Sequence, residues 1–316
     1  MTEQKILTRM RRLFPDIGDD AAVVGDEVIT TDLLIEDVDF TASVPLRFVA
    51  RKSLTVNLSD VAAMGATPAH AVVALGLPPW ADVDVISVAL AEKAIENGVR
   101  IVGGDLSRAE KLIICITATG KLLGRPLLRS GARRGDWIYV SRPIGGSAAG
   151  LTLLQHGWKI ERDGAVHPPK RTGRAQIEFA SSAIRHHVDP EAEVKLGPAL
   201  AAIPEVSSCI DLSDGLSTDL HNLCDASACG AEIDRERIPV FPDLLTAGPS
   251  LGVRPQEAVL HGGEEFALLF TASLGEQELR AKLGRAVHAI GRITEGRDVV
   301  LKGEGVLGRG GFDHFG

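Results

Sequence analysis

Asn57-Leu58-Ser59-Asp60-Val61-Ala62-Ala63-Met64-Gly65-Ala66 closes the stretch on which the reading of this chain turns. Ala50, Leu54, Leu58 and Val61 recur at helical spacing and predict a helix over 47–64. Gly65 and Pro68 stop it. Asp60 follows Asn57 by three residues, so the helix presents a carboxylate and an amide on one face. Toward the N-terminus, strands are expected over 21–24 and from Glu27 toward Asp32, behind the loop Asp16-Ile17-Gly18-Asp19-Asp20 and an amphipathic helix over 2–14. Toward the C-terminus come an extended segment over 71–76, a helix over 83–97 and a strand over 99–102 ending in Gly103-Gly104-Asp105. An apolar strand over 111–120 follows, and the polar, Gly-bearing stretch 129–136 reads as a domain boundary. Beyond it are expected a strand over 137–141, a helix over 146–156, an irregular stretch over 157–174, helical segments over 176–187 and after Pro198, a strand over 208–212, a helix over 215–227, an apolar strand over 266–271 and a glycine-rich tail. Strands and helices mix in both halves, so the expected class is α/β, more strictly α+β, in two domains, 1–134 and 135–316.

The 316 residues are 45% hydrophobic and 24% charged, ordinary for a folded protein, but only 4% are aromatic. The core is therefore built from Ala, Val, Leu and Ile. A formal net charge of −8 argues against a nucleic-acid partner, whose phosphates call for excess Lys and Arg. The N-terminus is charged and no run approaches a membrane helix, so no membrane partner and a cytoplasmic location are expected. Cys115, Cys209, Cys224 and Cys229 include no Cys-x-x-Cys pair and read as reduced core thiols.

The chemistry is in the acids. Asp19-Asp20 follow Gly18, Asp32 follows Thr30-Thr31, Asp60 sits on the helix, and Asp105 follows two glycines. Asp211 and Asp214 flank Ser213 at a strand-to-helix junction, and Glu264-Glu265 follow Gly262-Gly263. Taken singly, each has an ordinary explanation as a turn former or cap, best for Asp19, Asp136 and Asp219. Taken together they do not, because Asp32 and Asp105 are expected to end apolar strands and Asp211 to lie inside one, where an unpaired carboxylate is costly. Carboxylates at strand ends beside glycines suit Mg²⁺ bound to a polyphosphate: the ion takes oxygen ligands, and glycines let backbone N–H groups approach phosphate. Arg129, just before the boundary, could reach a nucleotide phosphate bidentately. Gly145-Gly146-Ser147-Ala148-Ala149-Gly150 continues with Leu151 and is no phosphate-binding P-loop; helix capping is the simpler reading. No nucleophile elbow or His-Glu-x-x-His is present, and His186-His187 read as surface residues.

In this order, Ile17-Gly18-Asp19-Asp20-Ala21-Ala22, Thr30-Thr31-Asp32, the 57–66 segment, Gly103-Gly104-Asp105, Arg129-Ser130-Gly131-Ala132, Ile210-Asp211-Leu212-Ser213-Asp214-Gly215-Leu216, His261-Gly262-Gly263-Glu264 and Gly311-Phe312-Asp313-His314-Phe315 resemble the thiamine-monophosphate kinase family, across nearly the whole chain. That resemblance implies the two-domain aminoimidazole ribonucleotide synthetase-like fold and a homodimer paired through N-terminal domains. It implies ATP as co-substrate, thiamine monophosphate as acceptor and several Mg²⁺ ions. It assigns metal contacts to Asp20, Thr30, Thr31, Asp32, Asp60, Asp105, Asp211 and Asp214, with Asp32, Asp60, Asp105 and Asp211 central to catalysis. Gly104, Asp105, Arg129 and Ser213 are implied to meet ATP; Glu264 and Phe312 are implied to meet the acceptor. Asp39 stands where relatives carry a substrate-contacting His, and Phe266-Ala267 replaces a common Tyr-Glu pair. The acceptor is already anionic near neutral pH, so direct in-line transfer by alignment and charge neutralisation is expected, without a strong general base. Two alternatives are a superfamily enzyme with a different small acceptor and a non-catalytic nucleotide-binding relative.

Overall fold

The computed structural model describes residues 3–14 and 16–311. After α1 (Glu3–Arg11), the first half alternates β1 (Ala22–Val24), β2 (Glu27–Ile35), α2 (Leu46–Ala63), β3 (Thr67–Leu77), α3 (Val83–Glu96), β4 (Arg100–Arg108) and β5 (Ile113–Lys121). Its strands form a five-stranded sheet in the order β1-β2-β5-β3-β4, antiparallel except for the β3–β4 pair. One face packs on α2, where Leu54, Leu58, Ile114 and Ile116 are fully buried. The other face is uncovered, leaving Ile29, Leu33 and Val72 exposed, and β4 is exposed along its whole length.

The second half contains β6 (Trp137–Val140), α4 (Gly146–Gln155), β7 (Lys159–Ile160), β8 (Val166–His167), α5 (Arg174–Val188), α6 (Leu196–Ala201), β9 (Val206–Asp211), α7 (Leu216–Ser227), β10 (Gly230–Ile233), α8 (Pro255–His261), β11 (Leu268–Ala272), α9 (Glu276–Leu283), β12 (His288–Thr294), β13 (Val299–Leu301) and β14 (Gly305–Val306). Seven strands form a sheet in the order β14-β13-β10-β12-β6-β11-β9. One core, with Ile138, Leu153, Ile184, Leu220 and Ile290, packs α4, α5 and α7 on this sheet. A second, on the other face, gathers Tyr139 and Phe270 with Leu200 of α6, Leu279 of α9 and Ala63 at the end of α2. Helix α2 thus belongs to both halves, lying on β5 and β2 and reaching β9.

Several expectations need correction. β2 does not close at Asp32 but continues to Ile35, because Leu33, Leu34 and Ile35 pair with Cys115, Ile114 and Ile113. β4 runs through Gly103 and Gly104 to Arg108, which puts Asp105 in mid-strand rather than at a strand end. Gly104 is needed there for close pairing, since a Cβ would collide with the carbonyl oxygen of Val73. The stretch 157–174 contains the small β7–β8 hairpin. The four cysteines are unpaired. Among the described residues no helix is long and apolar enough to cross a membrane.

Candidate active site

Three acids far apart in sequence meet where α2 crosses between the halves. Oxygens of Asp20, Asp60 and Asp211 all lie within 4.8 Å of one another. Asp20 comes from the loop before β1, Asp60 from the last turn of α2, and Asp211 from the last position of β9. The Thr30 hydroxyl donates to Asp60 Oδ2 at 2.5 Å and the Ser59 hydroxyl to Asp211 Oδ2 at 2.5 Å. Asp32 joins beside Asp60, the two carboxyl groups interacting directly. Its position in mid-strand turns it toward α2, as the inward alternation of Val28, Thr30 and Leu34 requires.

Arg129 closes one side. Its Nη2 and Nε donate to Asp20 Oδ1 at 2.6 and 3.2 Å, and its backbone N–H donates to Asp19 Oδ1 at 3.1 Å. Asp19 is therefore a tether for the arginine loop rather than only a turn former. The electrostatics remain out of balance. Burial, then Asp20, raises Asp211 to about 8. Burial, opposed by the Asp60 hydrogen bond and reinforced by Asp39, raises Asp32 to about 6. Burial, then Asp32, Asp211 and Asp20, pushes Asp60 well above the usual carboxylate range. Asp19 is raised to about 6 by burial and the Asp20 charge. Buried like charges of this kind call for protons or external cations. The donor set is all oxygen, and Asp20 Oδ2 is buried with no hydrogen-bond partner, so the cluster fits a hard divalent cation such as Mg²⁺.

A second polar group lies beside the 262–267 loop. The Lys52 ammonium, side chain 5% exposed, lies 2.5 Å from Glu264 Oε1. His187 Nδ1 is 3.4 Å from Glu264 Oε2 and 3.0 Å from the Ser147 hydroxyl. Glu265, buried, accepts from the backbone N–H groups of Gly145 and Ser147 at 2.9 Å each and lies 2.9 Å from His186 Nε2. The anion at the α4 N-terminus is thus the protein's own Glu265. Neighbouring histidines on α5 hold neighbouring glutamates, and neither is a free surface residue. Glu264 and Phe266 both have left-handed backbones, with φ of 59° and 49°, uncommon for non-glycine residues and characteristic of functional loops. Burial works to raise the Glu264 carboxyl, but the Lys52 ammonium holds it below its usual range. Burial, then Lys52, pushes His187 down to about 3 and keeps it neutral.

Of the residues singled out in the sequence, Asp20, Thr30, Asp32, Asp60, Asp211 and Arg129 come together. Ser213 and Asp214 lie two and three residues after Asp211, and the Ser213 carbonyl accepts from Glu264 N–H at 2.7 Å, joining the cluster to the glutamate loop. Asp219 caps that junction by accepting from Asp214 N–H and Gly215 N–H. Asp39 accepts from Ile35 N–H at 2.7 Å and closes the turn after β2. Thr31 and Asp105 do not reach the cluster within one chain. Both alternate onto the uncovered face of the first sheet, where Thr31 donates to Ile116 O at 3.1 Å. Gly104 lies beside them in the edge strand. Phe312 lies outside the described residues. Sequence reasoning missed Ser59, Lys52, His187 and the tether role of Asp19; the available signals were Ser59's adjacency to Asp60 and a lysine placed in a helix that otherwise packs a core.

Comparison with known proteins agrees with this architecture. The family described as AIR synthase related protein, N-terminal domain, matches residues 18–122, and its C-terminal domain counterpart matches residues 133–304. The chain is 37% identical over 321 residues to a thiamine-monophosphate kinase from Escherichia coli (strain K12), covering 95% of this chain and 91% of that one. It is 32% identical over 325 residues to a thiamine-monophosphate kinase from Bacillus subtilis (strain 168), covering 95% and 93%. The solved structure of AaThiL complexed with AMPPCP and TMP superposes with a TM-score of 0.85 at 28% identity, covering 99% of this chain and 97% of that one. With these likenesses spread over both halves and over the loops that build the acidic cluster, the chain belongs to the thiamine-monophosphate kinase family of AIR synthase related proteins.

Proposed function

We propose that this chain phosphorylates thiamine monophosphate to thiamine diphosphate with ATP, by direct in-line transfer. The observation that carries the reading is the convergence of Asp20, Asp60 and Asp211 in a chain whose relatives are named for this kinase activity and one of whose structural neighbours holds AMPPCP and TMP. In the reaction, an oxygen of the acceptor phosphate forms a bond to the terminal phosphorus of ATP while the bond to the ADP oxygen breaks. Both partners are anionic, so the protein's task is alignment and charge compensation rather than proton abstraction. Asp20, Asp32, Asp60 and Asp211, with the Thr30 hydroxyl, would hold Mg²⁺, and Asp214 a further ion; bound there, the ions neutralise phosphate charge. Arg129 and Ser213 would meet ATP, with Asp20 keeping the guanidinium at the rim. Glu264 would meet the acceptor's cationic end, and the C-terminal segment containing Phe312 would lie against it. Residues 1–134 would act as the nucleotide, metal and pairing unit and residues 135–316 as the half that closes the site.

The functional unit in this reading is a cytoplasmic homodimer. The uncovered sheet face carries Ile29, Leu33 and Val72, and the free β4 edge carries Ile101 and Val102; contiguous apolar surface and an unpaired edge of this kind suit a second copy. Thr31 and Asp105 share that face, so pairing would carry them, with Gly104, toward a site built from two chains. The test is incubation with ATP, Mg²⁺ and thiamine monophosphate, with separation of products. Thiamine diphosphate and ADP in equal amounts are expected; ATP consumption without thiamine diphosphate, or no consumption, overturns the reading.

A further inference from the structure

We infer that Lys52 is a positioning residue for Glu264, setting where the non-reacting end of the acceptor lies relative to the acidic cluster; the inference rests on the acceptor role proposed above for Glu264. Lys52 is a lysine buried inside an interdomain helix, which is costly unless the ammonium is fully paired. Its partner is Glu264 Oε1, in the opposite half of the molecule. The second carboxylate oxygen faces His187 of α5, itself held by Ser147 of α4. The Glu264 N–H is fixed by the Ser213 carbonyl, one residue from Asp214. A carboxylate clamped from three elements on a left-handed backbone has its direction set before any ligand arrives.

The helix adds a second constraint. Lys52 lies eight residues before Asp60 on α2, a rise of about 12 Å along one rigid element. The same helix therefore fixes the metal-holding carboxylate at one end and, through Lys52, the acceptor-holding carboxylate at the other. A small phosphate monoester carrying a cationic ring is the kind of ligand that would span that interval. The groups facing Glu264 are Lys52 from α2 and His187 from α5, with the His186–Glu265 pair one residue further on. Without the ammonium, burial alone acts on the Glu264 carboxyl and favours its protonated form.

The experiment compares the full-length wild type with K52M, E264Q, the K52M/E264Q double variant and H187Q in steady-state assays with ATP and thiamine monophosphate. K52M is expected to raise the acceptor KM about tenfold or more, with the KM for ATP unmoved, and the rise is expected to steepen as pH falls. The double variant is expected to be no worse than E264Q alone, because Lys52 acts through Glu264. An unchanged acceptor KM in K52M, additive losses in the double variant, or a loss confined to ATP binding overturns the inference. Should K52M fail to fold, H187Q gives the reading: a smaller rise in acceptor KM supports the clamp, and an unchanged one contradicts it. If wild type turns over thiamine monophosphate and K52M behaves like it, this inference alone fails. If wild type makes no thiamine diphosphate, the proposed activity fails and takes this inference with it.

Discussion

The acidic cluster and the glutamate loop handle buried negative charge in opposite ways. At the glutamate loop each carboxylate has a partner within the protein: Glu264 has Lys52 and His187, and Glu265 has His186 and two backbone N–H groups. Glu264 is accordingly held below the ordinary carboxylate range. In the cluster, Asp20, Asp32, Asp60 and Asp211 crowd together with Arg129 bonded to one of them, and all four are raised. The first region is electrostatically finished and serves to hold a shape. The second is unfinished, and in the proposed reading cations from outside would complete it. The two are joined by α2, which supplies Lys52 to one and Ser59 and Asp60 to the other.

The comparison breaks most visibly at the cluster. D32N, D60N and D211N are each expected to lower kcat by on the order of 10²-fold or more, because each deletes an oxygen anion from a set that works as a unit; steady-state turnover at saturating substrates checks this. R129M is expected to raise the KM for ATP about tenfold, the value of one charge-assisted contact, with a smaller change in the acceptor KM.

A thermal measurement sharpens the contrast. Asp32, raised to about 6, and Asp211, raised to about 8, bind protons in the folded chain that the unfolded chain, near the ordinary aspartate value of 3.8, has released. Folded protein therefore holds more protons than unfolded between the two values, so metal-free stability falls as pH rises from about 4 to about 8. Melting curves in EDTA are expected to show a Tm that declines across that window, and Mg²⁺ is expected to raise Tm more at the alkaline end. Glu264, lowered rather than raised, contributes with the opposite sign. The smallest effect is expected at Asp39: D39A removes one turn hydrogen bond after β2 and costs about 1 kcal/mol, measured by denaturant titration, whereas D39N keeps an acceptor oxygen and costs less.

Much of this was readable in the sequence because the elements carry their own signals. The 47–64 helix emerged as α2 (Leu46–Ala63), and Asp20, Thr30, Asp32, Asp60, Asp211 and Arg129 were named before their convergence was visible. What was not readable depended on pairing across distance. Asp105 looked like a strand terminus because glycines usually punctuate, yet the β3–β4 ladder carries the strand through them. Asp32 looked terminal until β5 supplied partners for three more residues. His187 gave no local signal and Lys52 only that of a lysine in a core-packing helix, since their significance is the glutamate more than two hundred residues away for Lys52 and about eighty for His187. β10, β12 and β13 were missed for the same reason: short strands take their identity from neighbours.

The most direct test of the central claim is a calorimetric titration of Mg²⁺ into the protein saturated with AMPPCP, for wild type and D60N in parallel. Strong Mg²⁺ binding to wild type that D60N loses is the result expected if the crowded carboxylates exist to be completed by metal. Identical binding isotherms for the two proteins would show that the cations are held elsewhere, and the account of the cluster would be wrong.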